Sequence, residues 1–408
     1  MKNRNSTVLK TALILLITLI PVTALSAGKI IIKPTLSATW KSDSNFFKAE
    51  TNERDVYTYI FTPGIEFGYT TAKSLVSLKY SLSSHDYNDE DSLRPGWTPA
   101  DREDYTGHNL NLKMRTRPFK RLTLGLDESY ILSRDPANSD AFSNAVDRDK
   151  FTINRLTPLM TYDFNDRFSA GLKYRHTDTD YDLVTREDST EKRPIVDIIY
   201  NLNRKTSLDL EYQHWTRDYD LATSDYTSDQ VKLILRRQFN YFSLEAGAGS
   251  HDRDFDDPAL EDIDTMTYRV GLIGQNPPAP DENPRSRIAI IGERNFNDSG
   301  SGDSYFISNR FTLDAGYVYR ERIPFGFRAT YQENDYERTT GLTPAGITTI
   351  REDDLYTVEG SVGYIFTDWV RLITRAGYES RDSNIAGKDY DNRYIMATID
   401  FSYNIGKR

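Results

Sequence analysis

Alternation with a period of two runs through nearly the whole of this chain, and few folds accommodate it. Leu208, Leu210 and Tyr212 alternate with Asp209, Glu211 and Gln213, which puts apolar groups on one face of an extended segment and polar groups on the other. Val76, Leu78, Tyr80 and Leu82 alternate in the same way with Ser77, Lys79 and Ser81, and Leu110, Leu112 and Met114 with Asn109, Asn111 and Lys113. Ala170, Leu172 and Tyr174 face away from Gly171, Lys173 and Arg175. Near the end, Phe325, Phe327, Ala329 and Tyr331 alternate with Gly326, Arg328 and Thr330, and Ile395, Ala397, Ile399, Phe401 and Tyr403 form the last apolar face. No long amphipathic helix interrupts the series. A composition of 27 Tyr and 19 Phe against 5 Met agrees with strands rather than buried helices.

The length, 408 residues, would serve two or three soluble domains, but with 38% hydrophobic residues each would have a thin core. The first residues suggest another destination. Lys2, Arg4 and Lys10 precede the apolar run Leu13 to Ile20, which is followed by Pro21 and the small-residue stretch Ala24-Leu25-Ser26-Ala27. This three-part layout predicts a signal peptide over residues 1–27 and a mature body over 28–408. An N-terminal membrane anchor is the alternative, disfavoured because the run is short. Removing three cations takes the formal charge from -10 to -13. No later segment approaches 18 consecutive apolar residues, so a helical membrane protein is excluded while a strand-built one is not. The absence of cysteine removes disulfides, thiol nucleophiles and thiolate metal sites. The acidic balance argues against nucleic acid as a partner.

Connections alternate in length as well. Short turns occur at Thr70 to Lys73, Phe119-Lys120, Asn165-Asp166, Asn203-Arg204, Arg320 to Arg322 and Thr367-Asp368. Between them lie longer polar stretches at 41–54, 88–103, 136–148, 183–192, 221–224, 257–261, 298–303, 339–351 and 385–388. Short turns at one end of each hairpin and long loops at the other are the layout of an outer-membrane barrel. The segment 276–284, with four prolines, falls on the short-turn side and reads as an enlarged periplasmic turn, since proline cannot join a ladder. Marking strands between these connections gives about eighteen, from one near 30–40 to one near 390–405. The fold class expected is all-β, a transmembrane antiparallel outer-membrane β-barrel. A secreted two-sheet or repeat protein and a string of small β domains are the rivals. Strands of 12 to 16 residues are long for either, because ordinary strands average about 5 to 6 residues.

The upward strands end in a repeat: Thr-Asp-Tyr-Asp at 179–182, Arg-Asp-Tyr-Asp at 217–220, Arg-Asp-Phe-Asp at 253–256 and Asn-Asp-Tyr-Glu at 334–337. One reading is a charged vestibule that contacts saccharide or calcium. The simpler one is a solvated rim with one interfacial aromatic per hairpin, favoured because basic residues are mixed in and no loop has EF-hand spacing.

If the apolar faces meet lipid, the opposite faces meet a lumen. Lys79, Lys113, Arg115, Lys173, Arg175, Arg328, Arg371 and Arg375 then line it from the basic side, and Asp127, Asp209, Glu211, Asp314 and Asp400 from the acidic side. Such residues either form a path for an anionic saccharide or pair across strands and brace the wall. Enzyme readings find no support. His85, His108, His176, His214 and His251 lie on separate segments without zinc spacing, and no local nucleophile motif is present. Carboxylate pairs such as Asp256-Asp257 are too common here to mark acid/base chemistry. No catalytic, cofactor-binding or metal-binding residue is assigned. His176 and His214, each two residues after a strand tyrosine, are expected near an interface.

The last residues carry a family resemblance. Ala376-Gly377-Tyr378-Glu379-Ser380-Arg381-Asp382-Ser383-Asn384, then Asp389-Tyr390-Asp391-Asn392-Arg393 and the alternating strand to Tyr403, resemble the terminal hairpin of the putative beta-barrel porin 2 family. The resemblance extends over the mature chain. It implies an outer-membrane barrel of the kind found in exopolysaccharide and capsule gene clusters, exporting polymer alongside a periplasmic polysaccharide-export lipoprotein. The alternatives are a general or substrate-selective diffusion porin for small solutes and a surface adhesion or structural barrel. Outer-membrane lipid, lipopolysaccharide and the barrel assembly machinery are the surroundings implied. One departure concerns assembly: many barrels end on an aromatic residue, whereas this chain runs on past Phe401 and Tyr403 to Ile405-Gly406-Lys407-Arg408, so Phe401 or Tyr403 has to serve as the signal.

Overall fold

The computed structural model describes residues 28–138, 146–184, 186–221, 223–278, 284–298 and 305–405. The signal-peptide expectation for 1–27 lies outside them, as do 279–283 of the proline-rich turn.

Eighteen strands follow one another: β1 (Lys29–Asp43), β2 (Val56–Thr70), β3 (Ser74–Asp89), β4 (Tyr105–Phe119), β5 (Leu122–Ser133), β6 (Phe151–Asp163), β7 (Phe168–Tyr181), β8 (Ser189–Asn203), β9 (Thr206–Tyr219), β10 (Tyr226–Gln238), β11 (Phe242–Phe255), β12 (Ile263–Asn276), β13 (Ser286–Asp298), β14 (Tyr305–Tyr319), β15 (Ile323–Leu342), β16 (Thr348–Thr367), β17 (Val370–Ser383) and β18 (Tyr390–Ser402). Each pairs antiparallel with the next, and β1 pairs with β18 from Thr35 and Ser402 to Asp43 and Tyr394. Every strand is therefore paired on both sides. Closure is what hydrocarbon demands, since it cannot satisfy the free N–H and C=O groups of a sheet edge.

Strand positions follow the alternation closely, though β8 begins at Ser189, inside the loop expected at 183–192, and one hairpin departs further. β15 and β16 run 20 residues each, past the expected loop at 339–351, which contracts to a turn at 343–347. The β-branched Thr339, Thr340, Thr348, Thr349 and Ile350 favour extended backbone, and a register shift between Asp335 and Thr340 bends the hairpin above the rim.

The apolar face points outward. Phe61, Ile65, Leu172, Ile198, Leu233, Val270 and Phe327 are all exposed on the outside of the barrel, where lipid rather than water covers them. Aromatic residues bound this band. Phe119, Phe164, Phe168, Tyr241, Tyr319 and Trp369 mark the short-turn end, and Tyr59, Tyr174, Tyr212, Tyr268, Tyr331, Tyr356 and Tyr378 the other, as the two interfaces favour rings with a polar tip. Beyond the second row the outward positions turn acidic. Tyr212 donates to Asp229 (2.5 Å), Tyr331 to Asp354 (2.7 Å) and Tyr378 to Asp391 (2.5 Å). His176 and His214 sit at this level, beside Asp178 (3.2 Å) and Asp229 (3.0 Å), so both are interfacial as expected. Asp218, Asp252 and Asp264 continue the acidic collar by strand register.

The repeated aromatics do not join the outer girdle. Period two from outward Tyr212 carries Tyr219 to the inner face, and Tyr181, Phe255 and Tyr336 follow the same rule. Tyr181 packs against Phe151 with ring centroids 5.9 Å apart, Tyr226 lies between Tyr219 (6.4 Å) and Phe255 (6.1 Å), and Tyr336 meets Phe306 at 4.8 Å. The carboxylates of each repeat alternate outward instead. Inside the loop end, Phe46, Val56, Tyr87 and Ala100 form a small core with Phe47 and Tyr105 against it.

Candidate functional site

Inward-facing side chains divide the interior into two levels. At the short-turn end it is open. A cavity of about 1090 Å³ runs along β13–β18, lined among others by Arg287, Asp314, Arg328, Glu359, Arg371 and Arg375, and a smaller one of about 390 Å³ lies along β8–β13 at Asn201, Arg236, Glu245 and Arg269.

The thirteen charged residues named from the sequence all lie on the face opposite the apolar one. Most are in cross-strand ion pairs. Arg328 holds Asp314 (2.7 Å), Arg371 holds Asp400 (2.9 Å) and Arg375 reaches Glu359 (3.7 Å). Lys79 meets Glu66 (3.4 Å), Lys173 meets Asp197 (2.7 Å), and Arg115 clasps Asp127 through both terminal nitrogens (2.7 and 2.6 Å). Asp209 accepts from Arg236 (2.5 Å) and Arg175 lies 3.3 Å from Glu191. Glu211 accepts from Gln213 (2.6 Å). Lys113 stands across from Asp127 in register and is exposed. Pairs of this exposure contribute about 0–1 kcal/mol each, so they order the wall more than they stabilise it. They are not brought together into one patch but spread around the circumference.

Towards the loop end the interior is filled. Inward residues there are buried on strand after strand, including Asp43, Thr58, Tyr87, Phe151, Thr177, Glu191, Ser228, Thr267, Asn334, Asp353 and Asn392. Arginines stacked on aromatic rings dominate this level: Arg193 over Trp215 (3.9 Å), Arg253 over Tyr226 (4.1 Å) and Phe296 (4.9 Å), Arg351 over Tyr336 (4.5 Å), Arg381 over Tyr390 (4.9 Å) and Arg148 over Phe46 (3.8 Å). Desolvated cation–π contacts contribute about 2 kcal/mol each. The rings continue from Trp215 to His251 (4.7 Å) and from His251 to Phe296 (4.5 Å). Glu191 anchors the set from β8, 2.8 Å from Arg193, 3.3 Å from Arg175 and 3.9 Å from Arg217. The β1–β2 loop folds into the mouth, where Lys48 lies 3.0 Å from Glu379. Burial opposes the charge on Lys48, yet Tyr390 and Glu379 hold its pKa above the ordinary ammonium value.

Arg193, Trp215, His251, Arg253 and Phe296 were not foreseen from the sequence. A signal was present for Trp215: alternation puts it with Gln213 and Arg217 on the polar face, where a large aromatic is out of place unless the interior is packed. Among the described residues no group of three or more His, Asp or Glu is placed to hold a metal ion.

Three comparisons bear on identity. The chain resembles the structure of Pseudomonas aeruginosa OpdK with vanillate, with a TM-score of 0.51 and 13% identity over 92% of this chain and 99% of that one. An improved structure of Pseudomonas aeruginosa OccK1 (OpdK) matches with the same figures, and Acinetobacter baumannii OccAB2 with a TM-score of 0.48 and 12% identity over 92% and 98%. At such identities the likeness is one of fold. No protein with a curated description matches the chain. These findings correct the expectation of exopolysaccharide or capsule export: the solved barrel that the chain resembles in fold was determined with vanillate, and neither it nor the family model names a polysaccharide. A polysaccharide-export lipoprotein as partner finds no support either. A family model, putative beta-barrel porin 2, matches residues 150–239 and 241–403, more than half of the chain. The protein is thus a β-barrel of the outer membrane, and it belongs to the putative beta-barrel porin 2 family.

Proposed function

We propose that this barrel is a substrate-selective diffusion channel for small water-soluble solutes. The observation that carries the reading is the change along the axis, from an open vestibule walled by ion pairs to a level packed with arginine–aromatic stacks. An open bore of this strand number would pass solutes by size alone. A filled level makes passage depend on what a solute can hydrogen-bond and displace. Lys79, Lys113, Arg115, Lys173, Arg175, Asp209, Glu211, Arg328, Arg371 and Arg375 would then form the walls of the approach, with charge balanced across strands. Residues 1–27 would be removed on export, leaving the barrel as 28–408.

The test is swelling of liposomes containing the purified protein, in neutral sugars of increasing size. Monosaccharides are expected to enter faster than into protein-free liposomes, and trisaccharides not to. Glucose entry no faster than in protein-free liposomes overturns the reading.

A further inference from the structure

On the β8–β11 wall a few buried hydrogen-bonding nitrogens have no partner among the described residues. Arg193, Arg217, Lys232 and Arg253 project inward from four successive strands; Glu191 is shared among Arg175, Arg193 and Arg217, Lys232 stands across from Glu211 in register and Arg253 donates to Ser228 Oγ (3.3 Å), so five cations face two carboxylates. Among the described residues Arg193 Nε, Trp215 Nε1 and both ring nitrogens of His251 find no hydrogen-bond partner, although Trp215 is only 3% and His251 2% exposed. Buried donors are satisfied in nearly all folded proteins, and an unsatisfied one is costly. These four nitrogens are neighbours in one stack, Arg193 on Trp215 and Trp215 on His251. A neutral imidazole donates from one ring nitrogen only, so the stack offers three unpaired donors, and with cations outnumbering carboxylates around them they call for an anionic acceptor.

The stack has a cover. Phe296 rests on His251 and under Arg253, and its strand is free of its neighbour at that height. β13 pairs with β12 only from Asn276 and Ser286 up to Tyr268 and Arg294, although β12 begins at Ile263. Beyond Arg294 the hold on Phe296 comes from β14 alone.

We propose that Arg193, Trp215, His251 and Arg253 form a binding station for the anionic group of a small organic solute, which takes the place of the Phe296 ring. The proposal deepens the diffusion-channel reading and rests on it. The solute meets Arg175 and Lys232 first, from the vestibule side, and then the indole and imidazole N–H groups. Trp215→Phe keeps the ring and deletes one donor; Arg193→Gln removes the charge; Phe296→Ala removes the cover.

The experiment compares entry of glucuronate and of glucose into liposomes carrying the full mature barrel or one of these variants, each first shown to keep the heat-modifiable gel mobility of a folded barrel. The ratio of glucuronate to glucose entry is expected to fall severalfold in Trp215→Phe and in Arg193→Gln and to rise in Phe296→Ala. A ratio unchanged in all three, with glucose still entering, overturns the station and leaves those donors to ordered water, while the channel reading stands. Exclusion of both sugars by the wild-type barrel removes the channel reading and the station together.

Discussion

Arg320 and Glu321 close the β14–β15 turn with φ of 48° and 61°, both in the left-handed region that side chains with a Cβ disfavour by about 1–2 kcal/mol per residue. Arg322 N–H donates to Tyr319 C=O across them (3.1 Å), so this is the two-residue hairpin turn that Asn-Gly fits best. Replacing the pair as Arg320→Asn and Glu321→Gly is expected to stabilise the barrel by about 1 kcal/mol, read as a higher urea midpoint for loss of folded gel mobility. The wall charges give a prediction of opposite character. Neutralising Arg328, Arg371 and Arg375 to Gln strips the partners from Asp314, Asp400 and Glu359 and leaves three carboxylates facing the vestibule. The reversal potential in a planar bilayer under a salt gradient is expected to shift towards cation selectivity. An unchanged potential would mean that the vestibule does not control ion passage. At this scale the face of each side chain was legible: strict alternation put the thirteen charged residues opposite the apolar row. Which acid each base would meet was not, because partners such as Asp197 and Glu359 come from register, and register is fixed by pairing rather than by any one strand. The Trp215–His251 stack was hidden for a related reason, since its members come from different strands.

Among the elements, the join of β1 to β18 has to be made across the full length of the chain. Its loop end is locked by two buried asparagines. Asn45 N–H donates to Asn392 Oδ1 (3.0 Å), Asn45 Nδ2 to Asp391 C=O (3.0 Å) and Asn392 Nδ2 to Asp43 Oδ1 (3.0 Å). Ser44 and Arg393 add a reciprocal pair, Ser44 N–H to Arg393 C=O (2.9 Å) and Arg393 N–H to Ser44 Oγ (2.8 Å). Asn392→Ala leaves the buried Asn45 N–H without its partner and the Asp43 carboxylate with Lys41 (2.7 Å) but one donor fewer, a cost of about 2 kcal/mol, and is expected to lower the temperature at which gel mobility changes from folded to unfolded. The loops beside this join respond to pH. Burial, followed by Glu90, Asp91 and Glu53, pushes the Asp55 carboxyl above its ordinary value of 3.8. The folded loop therefore holds its proton more firmly than an unfolded one, and its packing is expected to weaken as pH rises from about 3.8 through the raised value. Acrylamide quenching of Trp97 in a variant keeping only that tryptophan should be weaker near pH 4 than at pH 7. Strand and turn positions were the best-read part of the sequence. The exception, β15 and β16, has polar side chains on both faces above the rim, where water replaces lipid and alternation no longer reports the fold.

Seen whole, the molecule has its hydrophobic surface on the outside and its polar surface within, so closure and insertion are coupled. Phe401 faces outward on β18 and packs 6.5 Å from Trp369 at the short-turn end, and Tyr403 continues the ladder by donating its N–H to Pro34 C=O (3.2 Å). Shortening the chain to end at Ser383 deletes β18 and leaves β1 and β17 as open edges. Such a chain is expected to accumulate in the periplasm, as fractionation of the envelope would show, and its recovery in the outer membrane would contradict closure by this strand.

The acidic collar has a consequence in time. Asp178, Asp218, Asp229, Asp252, Asp264, Asp354 and Asp391 stand on the outward face at the loop end only, so every inserting barrel must carry them across the hydrocarbon once. An aspartate at the bilayer centre costs about 2.5–3.5 kcal/mol on insertion scales, and seven of them form a barrier that thermal motion does not recross. The collar acts as a barb: a barrel that has arrived stays, in one orientation, for the life of the membrane around it.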